Sequence, residues 1–356
     1  MKLKLKNTPE QVELIKAMGS KDTIVAREAL QAFAAFIGPV VSKVLMQAGT
    51  ASTIYSDLPY DEDDSPSIPL DLWSNESQDY IQTWSQNVAG GLPTANVEGF
   101  AEMKVATYRL DSAVSFLKRY ARRGRLDVIS KAVERMANEV LVKQERNAWA
   151  VVLKALAEAN SGANVVNASA AQVLDLSHLN SLLTLVKRIN TSYAGGTTTD
   201  VYGVTDLFVS PEVKGDIREF AYNQVGNTKT DLPAGVREDI YRSAGAQEIY
   251  GISIHELVEL GKAKKYNQLF AEFKGAGVLT SFDSDNDQIL VGVDLSKDAF
   301  VRPVARQSET GGTFSALPDD QFVSRAEKIG FYGSLEEGRV ALDGRAVAGI
   351  WLNKTA

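Results

Sequence analysis

Residues 125–161 read RLDVISKAVERMANEVLVKQERNAWAVVLKALAEANS, and no glycine or proline interrupts the run before Gly162. Leu126, Ile129, Val133, Met136 and Val140 recur at three- and four-residue spacing, and Trp149, Val152 and Leu156 continue the row. That spacing lays one apolar stripe along a helix. The predicted helix has about nine turns and, at 1.5 Å per residue, a length of about 50 Å. It exceeds the usual globular helix and is long enough to cross a subunit, so it is taken as the backbone of the fold.

Just before it, Lys118, Arg119, Arg122, Arg123 and Arg125 place five cations within eight residues, with Tyr120, Ala121 and Gly124 between them. Two readings of this cluster stand. One is a solvated face or a set of ion pairs with acidic segments of another subunit. The other is contact with a nucleic-acid phosphate backbone, where cations release condensed counterions.

Further upstream, Asp79 to Ser85 and Ala101 to Leu110 read as β-segments, separated by a stretch with Gly90-Gly91, Pro93 and Gly99, which together suggest a long, open hairpin. Trp73 and Trp84 flank its first segment. A single Trp belongs by habit to its own core, yet Tyr80, Ile81 and Trp84 on a hairpin this long suggest a surface covered by another subunit. Pro59, Pro66, Pro69 and the run Asp61-Glu62-Asp63-Asp64 make 55–69 an extended connector. At the start, Thr8-Pro9-Glu10-Gln11 opens a helix that Gly19 closes. A second helix from Asp22 or Thr23 carries Val25, Ala29, Phe33, Phe36 and Ile37 on a face that needs a partner, with a kink expected at Gly38-Pro39 before Val40, Val44 and Leu45.

Downstream, a helix over Ser177 to Ile189 precedes a Gly195-Gly196 loop, a strand Asp206 to Val209, and a helix capped by Ser210 with Pro211 in its first position. Strands are predicted at Glu248 to Ile254, Gln288 to Val293, Phe300 to Ala305, Lys328 to Leu335 and Arg345 to Leu352. The pattern has no βαβ period and no internal repeat, so the fold class is α+β.

Composition sets limits on what such a chain does. Its 356 residues exceed the roughly 250–300 at which a single core stops growing, so two or more compact regions are expected. A hydrophobic fraction of 44% and a charged fraction of 23% are those of an ordinary folded chain. Acidic residues outnumber basic ones 45 to 38, so the chain as a whole is no electrostatic nucleic-acid binder. It has no cysteine, hence no disulfide, thiolate nucleophile or thiolate metal site. The start MKLKLKN lacks the apolar core of a secretory signal. The apolar stretch Ala29 to Val41 contains Gln31 and falls short of the roughly 18–20 residues that span a bilayer, so no membrane partner is expected.

Catalytic chemistry finds little purchase. His178 and His255 are the only histidines, each in an apolar context without spaced metal-ligating partners. No GxSxG or GxxxxGK[ST] motif occurs, and Gly275 and Gly277 are followed by Thr280 where a dinucleotide fingerprint needs a third glycine. Asp283, Asp285, Asp287 and Asp294 are spaced like a calcium loop, but Gln288 replaces its turn glycine and a strand follows at once, so a solvated polar turn is the reading. The run at 61–64 is likewise read as solvated. No cofactor, metal or enzymatic activity is expected.

The order of parts, from arm through acidic connector, hairpin and long helix to a mixed α+β region, resembles that of tailed-phage major capsid proteins of the Hong Kong 97-type fold. Local sequence is similar too. Asp206-Leu207-Phe208-Val209-Ser210-Pro211-Glu212 is similar to the strand-into-helix segment of the axial domain, and 247–254, QEIYGISI, to the strand after it. Residues 328–335, KIGFYGSL, and 338–347, GRVALDGRAV, resemble the closing peripheral-domain strands.

The resemblance implies an N-terminal arm over 1–66, an extended-loop hairpin over 67–112, a peripheral domain with the spine helix over 113–174, an axial domain over 175–290 and a return to the peripheral domain over 291–356. It implies a homo-oligomeric shell of hexamers and pentamers around double-stranded DNA, found in the virion capsid and assembled in the host cytoplasm, with cement, scaffold and portal proteins as further partners. About sixty residues precede the hairpin, fewer than a cleaved scaffolding segment needs, so a separate scaffold or none is expected. Lys104 matches no crosslinking motif, and no crosslink is carried over. An encapsulin-type nanocompartment shell, with the same fold around protein cargo, is the alternative. Tyr80, Trp84, Lys118, Arg119, Arg122, Arg123 and Arg125 are the candidate intersubunit residues.

Overall fold

The computed structural model describes residues 8–47, 49–70, 101–168, 171–189, 203–219, 248–273, 278–296, 298–306, 313–319 and 327–353. Helix α1 spans Pro9–Met18, with proline in its first turn and Gly19 at its end. Helix α2 spans Thr23–Gln47, and its start is fixed by Asp22, whose Oδ1 accepts from the Ile24 amide at 3.0 Å. It continues through Pro39, the place where the sequence suggested a kink within the helix. Residues Thr23–Val41 are therefore long and apolar enough to cross a membrane by length and composition. One side of this stretch, however, including Ala29, Phe33, Ile37 and Val41, is buried in the chain's own core.

Strand β1 is Ser56–Asp61, β2 Ser67–Leu70, β3 Ala101–Lys104 and β4 Thr107–Leu117. Helix α3, Lys118–Arg122, leads into α4, Leu126–Glu158. Then follow β5 Val165–Ala168, α5 Leu176–Ile189, β6 Asp206–Val209, α6 Pro211–Glu219, β7 Glu248–Ile249, β8 Ile252–Glu256 and α7 Lys265–Phe273. The remaining strands are β9 Asp287–Val293, β10 Phe300–Arg306, β11 Ser315–Asp319, β12 Lys328–Gly338, β13 Val340–Ala341 and β14 Val347–Asn353.

Helix α4 has 33 residues and the predicted stripe. Its two halves serve different cores. Ile129, Val133, Met136 and Val140 join α1, α2 and the sheet ordered β1-β10-β12-β11, to which β4 adds through β12 and β13 through β10. Trp149, Val152, Leu153 and Leu156 join α7 against a second sheet, ordered β5-β14-β9-β6-β8-β7.

That second sheet is covered on both faces, as its unbroken apolar strands require. Along β9, Ile289, Val291 and Val293 enter the core beneath α4, whereas Leu290 enters the core with α5 and α6. The two-residue alternation of a strand produces this division. In the first sheet, β4 alternates between buried or half-buried and exposed positions, whereas β10 is buried along nearly its whole length. Arg109, Asp111, Ala113 and Ser115 of β4 are exposed, while Phe116 of β4 and Phe331 of β12 meet in the core with ring centroids 6.0 Å apart.

Three predicted segments take another form. The connector includes a strand: β1 pairs in parallel with β10 from Ser56↔Val301 to Asp61↔Arg306, and Pro59 is tolerated because β1 lies at the sheet edge. β3 pairs antiparallel with β2, from Ser67↔Lys104 to Leu70↔Ala101; the segment expected as its partner, 79–85, lies outside the described residues. Glu248 to Ile254 is a tight hairpin and not one strand, turned by Tyr250 and Gly251 at φ 55° and 77°.

Candidate intersubunit surface

The cationic cluster forms where β4 ends against β12 and the chain turns into α4. Leu117 pairs with Lys328, and the Lys118 amide donates to the Glu327 carbonyl at 2.7 Å. Five residues of α3 follow and then stop. The Gly124 amide donates to the Ala121 carbonyl at 2.8 Å, the Arg125 amide to the Tyr120 carbonyl at 3.0 Å, and Gly124 has φ +62°. This pair of bonds around a left-handed glycine is the Schellman stop, so the glycine inside the basic run serves to end α3 and aim α4.

Helix α1 is packed against this turn. A Cβ placed on Gly19 would lie 2.6 Å from the Arg122 backbone nitrogen, and one on Gly124 would lie 3.2 Å from Val12 and 3.3 Å from the Lys16 side chain. Arg122 Nε donates to the Gly19 carbonyl at 2.9 Å, placing a cation on the negative end of α1. Arg119 holds its guanidinium carbon 5.1 Å from the Tyr120 ring centre. Arg123 and Arg125 are exposed, as is Lys16, which α1 brings alongside. None of these cations forms an ion pair with a described carboxylate.

The structure thus places all five predicted cations in one turn, gives Arg122 an internal task, and adds Lys16. No sequence signal marks Lys16, because only the packing of α1 on α3 brings it there. Tyr80 and Trp84 lie outside the described residues.

A second charged group, unseen in the sequence, is internal. Glu337 of β12 is fully buried, and its carboxylate accepts from the Tyr108 hydroxyl at 2.8 Å and from Gln144 Nε2 at 3.0 Å. Arg339 approaches it at 3.3 Å and lies over the Tyr55 ring at 4.7 Å. Arg302 approaches it at 3.9 Å. Burial pushes the Tyr55 and Tyr108 hydroxyls well above the ordinary tyrosine range, and for Tyr108 the Glu337 charge adds to this. The group ties α4 to β4, β10 and β12. Sequence patterning could not show it, since its members come from five separate segments.

The other candidate residues have local structural partners. His178 Nδ1 accepts from the Asp175 amide at 3.1 Å at the start of α5. His255 Nε2 lies 2.6 Å from Asp206 Oδ1 and its ring stacks on Phe208. Asp287 accepts from the Asp283 amide at 2.8 Å, and Asp294 from the Gly203 amide at 2.7 Å, so these carboxylates hold separate turns. Asp61 to Asp64 are exposed.

Solved phage structures share the architecture. The capsid structure of cyanophage P-SCSP1u superposes with a TM-score of 0.54 at 11% identity, over 86% of this chain and 89% of that one. The structure from Microbacterium phage Oxtober96 gives 0.53 at 12% identity, over 86% and 92%. The capsid asymmetric unit of cyanophage Pam1 gives 0.50 at 12%, over 85% and 89%. No protein-family model and no curated protein matches the sequence. The likeness is one of fold: this chain has the mixed α and β fold of phage capsid structures.

Proposed function

We propose that the chain is a major capsid protein, a structural subunit that assembles with copies of itself into the shell of a tailed phage. The observation that carries the reading is the near full-length match of fold to phage capsid structures. The surface of α2 supports it. Ile24, Val25 and Phe36 are 69%, 42% and 42% exposed, and Arg27 and Glu28 are the only charged residues among the exposed positions of 24–39. Large exposed apolar side chains on one helix, with Gln31 and these two charges between them, suit burial by a second copy.

In finer terms, the reading is a Hong Kong 97-type subunit with 1–66 as arm, 67–112 as extended loop, 113–174 and 291–356 as peripheral domain and 175–290 as axial domain. Hexamers and pentamers close an icosahedral shell around double-stranded DNA in the virion, after assembly in the host cytoplasm and alongside scaffold, cement and portal proteins. The chain performs no catalysis in this role. Its cationic turn and its hairpin, with Tyr80 and Trp84, lie at contacts between subunits.

Negative-stain electron microscopy of the purified chain, expressed alone and then with the scaffold candidate of its genome, tests this. Closed shells, tubes, or rings of five and six are expected. A chain that stays monomeric under both conditions overturns the reading. Protein cargo in place of nucleic acid inside closed shells would move it to a nanocompartment.

A further inference from the structure

Two surfaces of opposite sign are held in ordered turns and, among the described residues, form no ion pair. The first is the cationic turn, fixed by the Schellman stop and by α1. The second is the turn after β1, Asp61 to Asp64, whose four carboxylates are exposed. Its anchoring is firm: the Asp64 amide donates to the Asp61 carbonyl at 2.9 Å, Pro66 beyond it is buried, and the Val105 amide donates to the Pro66 carbonyl at 3.0 Å. The Ser65 amide donates to Asp64 Oδ1 at 2.8 Å, the one side-chain hydrogen bond of the turn among the described residues.

The two surfaces do not meet within one chain. Val304 pairs with Glu337, so Arg306, and with it Asp61, falls level with Leu335 and hence with Leu110 of β4. The cationic turn begins after Leu117, seven residues further along, or roughly 23 Å at about 3.3 Å per residue. It is also separated by the width of the sheet, since β1 lies on one edge and β4 on the far side of β12.

We propose that the acidic turn of one copy seats on the cationic turn of the next, with Asp61, Glu62, Asp63 and Asp64 facing Lys16, Arg119, Arg123 and Arg125. This rests on the shell-subunit reading and names the partner of its cationic surface. The contact joins two different patches, so it is head-to-tail, the kind that closes into rings when the rotation allows. Single exposed ion pairs contribute little. Four against four on two rigid turns, partly desolvated at an interface, fix register and steer the approach. Because both turns are already ordered, little conformational entropy is lost when they meet. A nucleic-acid backbone is the less favoured occupant, since the chain carries a net charge of −7 and itself supplies an acidic patch of matching size.

The test is charge reversal and its rescue in the full chain. Arg122 is left intact because it holds α1. R123E/R125E changes the cap of α3 and the N-cap of α4, the second of which accepts a carboxylate, and E62K/D63K spares the Asp64 hydrogen bond. Each double variant should keep the parent circular dichroism and lower the assembled fraction about tenfold, more at low than at high salt, and the quadruple variant should recover to within about threefold of the parent. Double variants that assemble like the parent, or a quadruple variant no better than the doubles, overturn the proposal. So does R123E/R125E forming normal shells that have lost nucleic acid, which would assign the turn to phosphate.

A second measurement reads the contact without closed shells. Carbodiimide crosslinking of mixed light and heavy-isotope parent chains should join residues 61–64 to Lys16 or Lys118 between copies. Absence of such links, or links only within one copy, overturns the proposal. Links between copies in a chain that never forms shells or rings would uphold the contact and overturn the shell reading instead.

Discussion

Arg302 and Asp57 face each other in a two-pronged pair, Nε to Oδ1 at 2.6 Å and Nη2 to Oδ2 at 2.7 Å. The guanidinium is buried while the carboxylate is half-exposed, so the pair closes the edge strand β1 onto β10 with side chains as well as backbone. Asp57→Ala leaves the buried cation with Glu337 alone, at 3.9 Å. The expected loss in urea unfolding is about 1–2 kcal/mol, with faster proteolysis at the start of β1. An unchanged midpoint would mean that backbone pairing alone holds the strand.

Glu337 is the more demanding residue. Removing its buried carboxylate leaves Arg339 uncompensated, reduces Arg302 to its pair with Asp57, and takes the acceptor from Tyr108 and Gln144. Glu337→Ala should therefore cost about 3–5 kcal/mol, with Glu337→Gln falling between it and the parent. A shift in urea midpoint at constant slope checks this, and parent-like unfolding of Glu337→Ala would refute it.

Alkaline pH should act through the tyrosines. Burial, first among the causes in each case, raises Tyr55, Tyr108 and Tyr266 above their ordinary value and Tyr60 to about 12. A group whose folded pKa lies above its unfolded one favours the fold fully below the unfolded value, about 10. For Tyr60 that contribution is lost as pH rises from about 10 through 12. In a tyrosinate absorbance titration, fewer of the 12 tyrosines should ionise near pH 11 in the folded chain than in urea, and Tyr60→Phe should remove the step near 12. Identical folded and unfolded curves would contradict the burial.

Gly124→Ala places a side chain at φ +62°, at an expected cost of about 1 kcal/mol. Gly19→Ala should cost more, because its Cβ meets Arg122 backbone and not a flexible side-chain end. Comparing the two melting temperatures decides the order.

Trp149 has no exposed surface and packs edge-on to Phe208 at 4.8 Å. Trp149→Ala should lose about 3–5 kcal/mol, together with a blue-shifted component of the fluorescence. A loss under about 1 kcal/mol would mean that the cavity collapses freely.

The long helix was legible because its periodicity persists over 33 residues, and β6 with α6 because Ser210 and Pro211 mark the boundary, the Ser210 hydroxyl accepting from the Val213 amide at 3.2 Å. Strand β1 was hidden by Pro59 and the acidic run, which an edge position tolerates and sequence patterning reads as connector. The α2 face was half right. Ala29, Phe33 and Ile37 enter the chain's core, while Val25 and Phe36 remain exposed, a division that depends on which side α4 occupies. At the cationic turn, residue type located the cluster, but only tertiary packing shows that Arg122 holds α1 and that Lys16 belongs with the group.

The interval between the two stripes of α4 has its own consequence. Gln144 reaches Glu337, and Glu145 takes the Thr50 hydroxyl at 3.0 Å and the Ala51 amide at 3.2 Å, so the helix is clamped on two sides at its middle. A rod about 50 Å long, pinned there and embedded in a core at either end, acts as a lever. Tilting it by about 5° about that middle would carry its two ends through roughly 2 Å in opposite directions. Neither sheet can change inclination without turning its counterpart, and curvature imposed at one end of the subunit is delivered to the other.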